Sequence, residues 1–166
     1  QSCHIQTARL FSRTSVSCFL LCESNGKAVY LLYRKEQLKE YLATGPVREL
    51  MERFGYEGME LGEILSLVGT RYREHMEGCK TFPHEIGLLL GYPAEDVKGF
   101  IENQGRRSLY SGYWKVYSNL EECQRIFASY DHAREKVIHL MAKGMTVRTI
   151  MEMHHLYGYC PAAGAF

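Results

Sequence analysis

Residues 16–33 read VSCFLLCESNGKAVYLLY. Two apolar runs, 16–22 and 28–33, flank Ser24-Asn25-Gly26-Lys27. The runs are rich in β-branched, aromatic and other apolar types that suit a pleated surface. Asn-Gly between such runs is the strongest short hairpin signal, because both central residues of a type I′ turn need positive φ. A two-residue loop also sets the register. It places Ser24 opposite Lys27, Cys22 opposite Val29 and Leu20 opposite Leu31. Apolar residues fall on both faces of this hairpin, so both faces are expected to be covered.

Downstream of Tyr33 the period becomes helical. Residues 34–43 (RKEQLKEYLA) read as a helix closed by Thr44-Gly45-Pro46, and Val47 to Phe54 as a second, stopped near Gly55. Leu61, Ile64, Leu65, Val68, Tyr72 and Met76 then recur at the spacing of a long amphipathic helix. Residues 83–90 and 93–104 predict a helix pair. Pro83 and Pro93 suit the first helical position, and Gly91 and Gly105 the left-handed position past a helix end. Residues 108–117 (SLYSGYWKVY) alternate, which predicts a third strand: Tyr110, Trp114 and Val116 on one face, Tyr113, Lys115 and Tyr117 on the other. Ser118-Asn119-Leu120-Glu121 has the form of a capping box. It opens a long helix with Cys123, Ile126, Phe127, Tyr130, Val137 and Met141 inward, ended by Gly144. A last helix is expected over about 146–156. This order predicts one α+β domain over 1–166, with irregular segments at 1–15 and 157–166. A small antiparallel sheet, the hairpin 16–33 plus strand 108–117, is covered by several helices.

Composition excludes several classes of function. Apolar residues make up 46% of the 166, enough for a packed core rather than a disordered chain. Twenty basic and 19 acidic residues give a net charge of +1, which provides no field to steer the protein toward nucleic acid or an anionic membrane. No run approaches the length of a membrane span. The apolar run 18–22 is short and lacks the flanks of a signal peptide. The first residue is Gln1 rather than Met, so the natural start is expected to lie elsewhere. Six cysteines, at 3, 18, 22, 79, 123 and 160, form no CxxC pair. A chain of this size does not need disulfides, so reduced thiols and a cytoplasmic location are expected.

Several side chains invite a chemical reading, each with a structural rival. His84-Glu85 follows Pro83 at a helix start, where free N–H groups and the helix dipole favour a carboxylate and a neutral imidazole. A neutral His84 beside Glu85 could act as a base or metal ligand. Equally, Glu85 caps the helix and His84 packs, since adjacent helical residues point about 100° apart. His75, Cys79 and His84 have the form H-x3-C-x4-H, but Gly78 should fray the helix and no fourth ligand is evident. Cys18 and Cys22 share a strand face about 13 Å apart, too far for a disulfide, and read as core thiols. His154-His155 lies on the last helix and reads as part of its apolar stripe. Arg106, Arg107, Tyr110, Tyr113, Lys115 and Tyr117 interleave charge and aromatics as single-strand nucleic-acid binders do, but they also fit a core strand, and the charge balance argues against nucleic acid. No G-x-G-x-x-G, Walker, G-x-S-x-G or HExxH motif is present.

FPHEIGLLLGYPAEDVKGFIENQG at 82–105, followed by SGYWKVYSNLEECQRIFASY at 111–130, resembles domain-of-unknown-function family 3793, an uncharacterised bacterial family. The resemblance runs from about Val16 to Tyr130 and is most specific over 82–117. It implies no established activity. It implies an accessory role near iron or redox metabolism, with flavodoxin as a partner. Signature glycines and prolines have backbone explanations; His84, Glu85 and Asn103 have weaker ones and become surface-site candidates.

The leading expectation is therefore a cytosolic, non-catalytic binding or accessory protein. Its groove would lie between helices 83–90 and 93–104 and strand 108–117, with His84, Glu85, Tyr92, Asn103, Tyr113 and Lys115 as candidates. One rival is a small enzyme using His84 as general acid or base, with Glu85 or Glu102 orienting it and Asn103 binding substrate. The other is a metal or haem binder through His75, Cys79 and His84. In the groove reading His84 lies at the mouth of a crevice and Trp114 points inward.

Overall fold

A computed structural model describes residue 11, residues 14–24 and residues 26–157, the last four by backbone alone. Asn25, the His154-His155 side chains, most of 1–15 and the tail from 158 lie outside the described residues. The chain is α+β. Strands β1 (Ser17–Ser24) and β2 (Lys27–Tyr33) precede helices α1 (Lys35–Leu42), α2 (Gly45–Arg53), α3 (Leu61–Met76), α4 (Ile86–Leu89) and α5 (Ala94–Glu102). Strands β3 (Tyr110–Ser111) and β4 (Lys115–Val116) follow, then α6 (Leu120–Ala142) and α7 (Val147–Tyr157). Among the described residues no helix is long and apolar enough to cross a membrane.

The hairpin forms where its turn signal lies, with Gly26 at φ +72°. Ser24 pairs with Lys27 and Cys22 with Val29, as the loop length requires. Beyond that the register departs from expectation: Leu20 pairs with Tyr30, and Phe19 with Leu31. Leu21 is an extra residue, a β-bulge, and it lets consecutive Leu21 and Cys22 both be buried. The bulge also separates the two cysteines. Their partners, Leu32 and Val29, are an odd number of residues apart on β2, so Cys18 and Cys22 lie on opposite faces. Only Cys22 is a core thiol; Cys18 is half-buried. Helix α3 covers one face, approaching so closely that a Cβ on Gly69 would stand 3.3 Å from the Phe19 ring. The other face is not fully covered: Leu32 remains 47% exposed.

Helix α3 starts with a capping box, in which the Glu60 N–H donates to Glu63 Oε2 at 2.8 Å. It ends at a glycine: Gly78 has φ +76°, and the Cys79 N–H closes back on the Glu74 carbonyl at 2.8 Å. The apolar stripe therefore stops early, and Met76 is exposed. Leu65 and Val68 of α3 meet Leu38, Val47, Met51, Leu88 and Leu89 in a large first core. Burial of such side chains contributes roughly 1.5–3 kcal/mol each.

Trp114, Val116, Cys123 and Phe127 form a small second core. Here 108–117 is not a third strand of the sheet. It folds back on itself at Gly112-Tyr113, pairing Tyr110 with Val116 and Ser111 with Lys115, and does not join β1–β2. The Phe127 ring fixes the turn: a Cβ on Gly112 would lie 2.3 Å from it. The expected capping box before α6 is also absent. Asn119 takes a left-handed φ of +37°, and Ser118 turns to another partner described below. Cys123 and Phe127 bury as expected, but the second half of α6 leaves the core: Val137 is half-buried and Met141 exposed. Helix α7 returns along that end and buries Ile150, while its Val147 is exposed.

Candidate functional site

The corner between the two cores is built by residues 82–117. Pro83-His84-Glu85 opens a tight turn, with Ile86 N–H donating to the Pro83 carbonyl at 3.2 Å and Gly87 N–H to the His84 carbonyl at 3.0 Å. Pro83 needs no donor there. The regular helix that follows has only four residues, shorter than the sequence pattern predicts, because 83–85 form this turn ahead of it, and Gly91 at φ +78° then ends it where expected. The Tyr92 carbonyl accepts the Tyr41 hydroxyl, which holds this corner to α1.

Two buried carboxylates anchor the corner. Glu85 is 3% exposed. Its Oε1 accepts from the Tyr56 hydroxyl at 2.7 Å and from Arg71 Nη1 at 2.8 Å. Arg71 also donates to the Phe54 carbonyl at 3.0 Å, and its guanidinium lies 4.7 Å from the Tyr56 ring centre. Burial, then the Glu85 carboxylate, pushes the Tyr56 phenol above its ordinary range. Asp96, on α5, is 2% exposed. Its Oδ2 accepts the Trp114 indole N–H at 2.7 Å and faces the Cys123 thiol at 3.5 Å. Its Oδ1 accepts the Tyr117 and Ser118 backbone N–H groups at 2.8 and 2.9 Å and the Ser118 hydroxyl at 3.1 Å. Burial and then the Asp96 charge push the Cys123 thiol up to about 12, so it stays protonated and unreactive at neutral pH. This one carboxylate ties β4 and the start of α6 to α5. Gly99 completes the joint, since a Cβ there would lie 2.6 Å from Tyr117.

Between α4, α5 and the β3–β4 hairpin lies a cleft of about 530 Å³. Phe82, His84 and Phe100 form one side, with the His84 ring 6.0 Å from Phe82 and 5.5 Å from Phe100. Trp114 forms the other, stacked on Tyr92 at 4.9 Å and edge-on to Phe127 at 4.5 Å. Tyr113 stands at the mouth, its hydroxyl donating to Asp131 at 2.9 Å. Lys115 borders the cleft, donating to the Gly105 carbonyl at 2.6 Å. Phe82, Leu90 and Tyr113 are partly exposed around the opening.

Four of the six groove candidates, His84, Tyr92, Tyr113 and Lys115, line this cleft. The other two do not. Glu85 points the opposite way into the Arg71–Tyr56 cluster, because its neighbour His84 takes the cleft side of the turn. Asn103 closes the end of α5, donating to the Gly99 carbonyl at 2.8 Å. Glu102 is exposed and pairs with Lys98 at 3.7 Å. The acid–base arrangement around His84 is therefore not assembled: His84 has ring contacts but no side-chain hydrogen bond to a described residue. Nor are His75, Cys79 and His84 gathered. The Phe82 ring packs between the two imidazoles, 5.4 Å from His75, and His75 Nδ1 lies 3.1 Å from the Lys80 carbonyl. No three potential ligands among the described residues are placed to hold a metal. Arg106 and Arg107 are exposed just before the hairpin, and Tyr110 is exposed on its first strand. Asp96 escapes sequence reasoning, since an acid in the first turn of a helix is ordinary. Trp114 carries the signal, because a buried indole N–H needs an acceptor.

No curated protein and no solved structure matches the chain. A family model described as protein of unknown function (DUF3793) matches residues 2–151, beyond both ends of the resemblance read from the motifs. That match includes residues 82–117, which build the corner and its cleft, and the chain belongs to the DUF3793 family.

Proposed function

We propose that the chain is a non-catalytic binding protein and that the aromatic cleft is its ligand site. The observation that carries this is the cleft itself: about 530 Å³, bordered by aromatic rings and few polar groups. Ligand sites are commonly concave, mostly apolar and roughly 300–1,000 Å³ in volume. The partly exposed rings of Phe82 and Tyr113 at its mouth need an occupant to leave water. Trp114 is the single tryptophan of the chain and lines the cleft, so its emission reports occupancy directly.

The test is titration of the neutral dye N-phenyl-1-naphthylamine, read by energy transfer from Trp114. One site per chain is expected, with affinity lost when the cleft is narrowed by Ser111→Phe. No saturable binding, or binding that ignores Ser111→Phe, counts against the proposal. A flavodoxin partner rests on the family resemblance, and we include it as a competitor: displacement of the dye by flavodoxin supports that partner, and undisturbed dye argues against it.

A further inference from the structure

The polar groups of the cleft narrow its ligand further. Asp96 borders the cleft, yet both oxygens are engaged by Trp114, Tyr117, Ser118 and Cys123, so it offers nothing to an entering molecule. Lys115 is different. Its exposed ammonium gives one hydrogen to the Gly105 carbonyl at 2.6 Å and retains two. That bond and the Phe100 ring 5.9 Å away hold the charge at the cleft edge. His84, wedged between Phe82 and Phe100, presents an imidazole without a hydrogen-bond partner among the described residues. Among the described lining residues, Lys115 is the charge exposed at the cleft edge, while the Asp96 charge is buried behind its neutral hydrogen-bond donors. Its apolar part is mostly ring faces and edges, which favour offset or edge-on packing of another ring.

We infer that the ligand is a planar aromatic molecule carrying one anionic group, its rings between the aromatic walls and its anion on Lys115. The inference rests on the binding reading above and adds the charge and shape of the occupant. A cationic ligand would meet Lys115 with like charge. An aliphatic one would forgo the ring packing.

Two dyes separate this inference from the reading beneath it. 1-Anilinonaphthalene-8-sulfonate differs from N-phenyl-1-naphthylamine by its sulfonate alone. A hydrogen bond to an ionised group makes a preference of about tenfold for the sulfonate the expected result at low salt. Lys115→Met should reduce that preference to about twofold or less, Lys115→Arg should keep most of it, and added salt should weaken it. Thermal melts of both variants check that the fold is intact, as expected for an exposed side chain. Equal affinity for the two dyes would overturn the inference while leaving the binding reading in place. So would a preference that survives Lys115→Met. Failure of both dyes to bind would overturn the two together.

Discussion

Glu85 and Asp96 are both buried carboxylates, held in opposite ways. Glu85 lies beside the large first core and meets a cation, Arg71, together with the Tyr56 hydroxyl. Asp96 lies beside a second core of four buried apolar residues and, among the described residues, meets no cation, only the neutral donors of Trp114, Tyr117, Ser118 and Cys123. The difference follows from what each core can do unaided. The first has enough apolar burial to stand, so its ion pair is a tie that fixes one turn. The second is too small to order a two-residue hairpin by burial alone. Its geometry comes from a carboxylate that collects donors from three successive stretches of chain. The cleft lies between the two and inherits one side from each.

Removing Asp96 should have the largest effect. Asp96→Ala orphans a buried indole N–H and two backbone N–H groups, an expected loss of about 3–5 kcal/mol. Urea denaturation should show that loss, with Trp114 emission shifted to the red, while the β1–β2 amides stay protected from exchange. A loss under about 1 kcal/mol would mean that Asp96 is not the organiser. Glu85→Gln should cost less, roughly 1–3 kcal/mol, because Arg71 is partly exposed and water can take it over. The same denaturation series reads it, and a cost equal to that of Asp96→Ala would erase the contrast.

Gly112→Ala tests the second core from the other side. Its Cβ would fall 2.3 Å from the Phe127 ring, so the ring or the hairpin must move, at about 1–3 kcal/mol. Dye binding should weaken along with stability, because the same hairpin borders the cleft. A stable variant that binds normally would show the hairpin to be adaptable.

The last effect appears only at alkaline pH. Folding raises the Cys123 thiol from its ordinary 9.0 to about 12. Between those values the unfolded chain loses its thiol proton while the folded one keeps it. The unfolded state then binds fewer protons, so stability is full below about pH 9 and falls as pH rises toward 12. Tyr41 and Tyr56, raised by burial, act in the same direction at higher pH. Urea midpoints measured across this window should decline, and Cys123→Ser should flatten the first part of the decline. A midpoint that rises with pH would contradict the environment assigned to Cys123.

The hairpin, the helices of the first core and the helix–Gly–helix corner at 91 were legible because each is marked locally, by Asn-Gly, helical spacing or a terminal glycine. The β-bulge at Leu21 was not, since an unbroken apolar run hides an extra residue. Residues 108–117 alternate equally well as one strand or as two short ones, and what separates the two is contact with distant residues, Phe127 against Gly112 and Asp96 on Trp114 and Tyr117. The roles of Ser118 and Glu85 are hidden in the sequence for a common reason. Each looks like a helix cap in sequence, and each is taken by a partner far along the chain, Asp96 in one case and Arg71 with Tyr56 in the other. Of the site, the aromatic and basic members were visible as a cluster, while the carboxylate that arranges them was not.

The most direct test of the cleft as the ligand site is an amide and indole chemical-shift map of the labelled protein with N-phenyl-1-naphthylamine. Shifts are expected at His84, Leu90, Ser111, Tyr113 and Lys115 and at the Trp114 indole N–H. Shifts confined to the exposed apolar end of α6, around Ile138 and Met141, would contradict it.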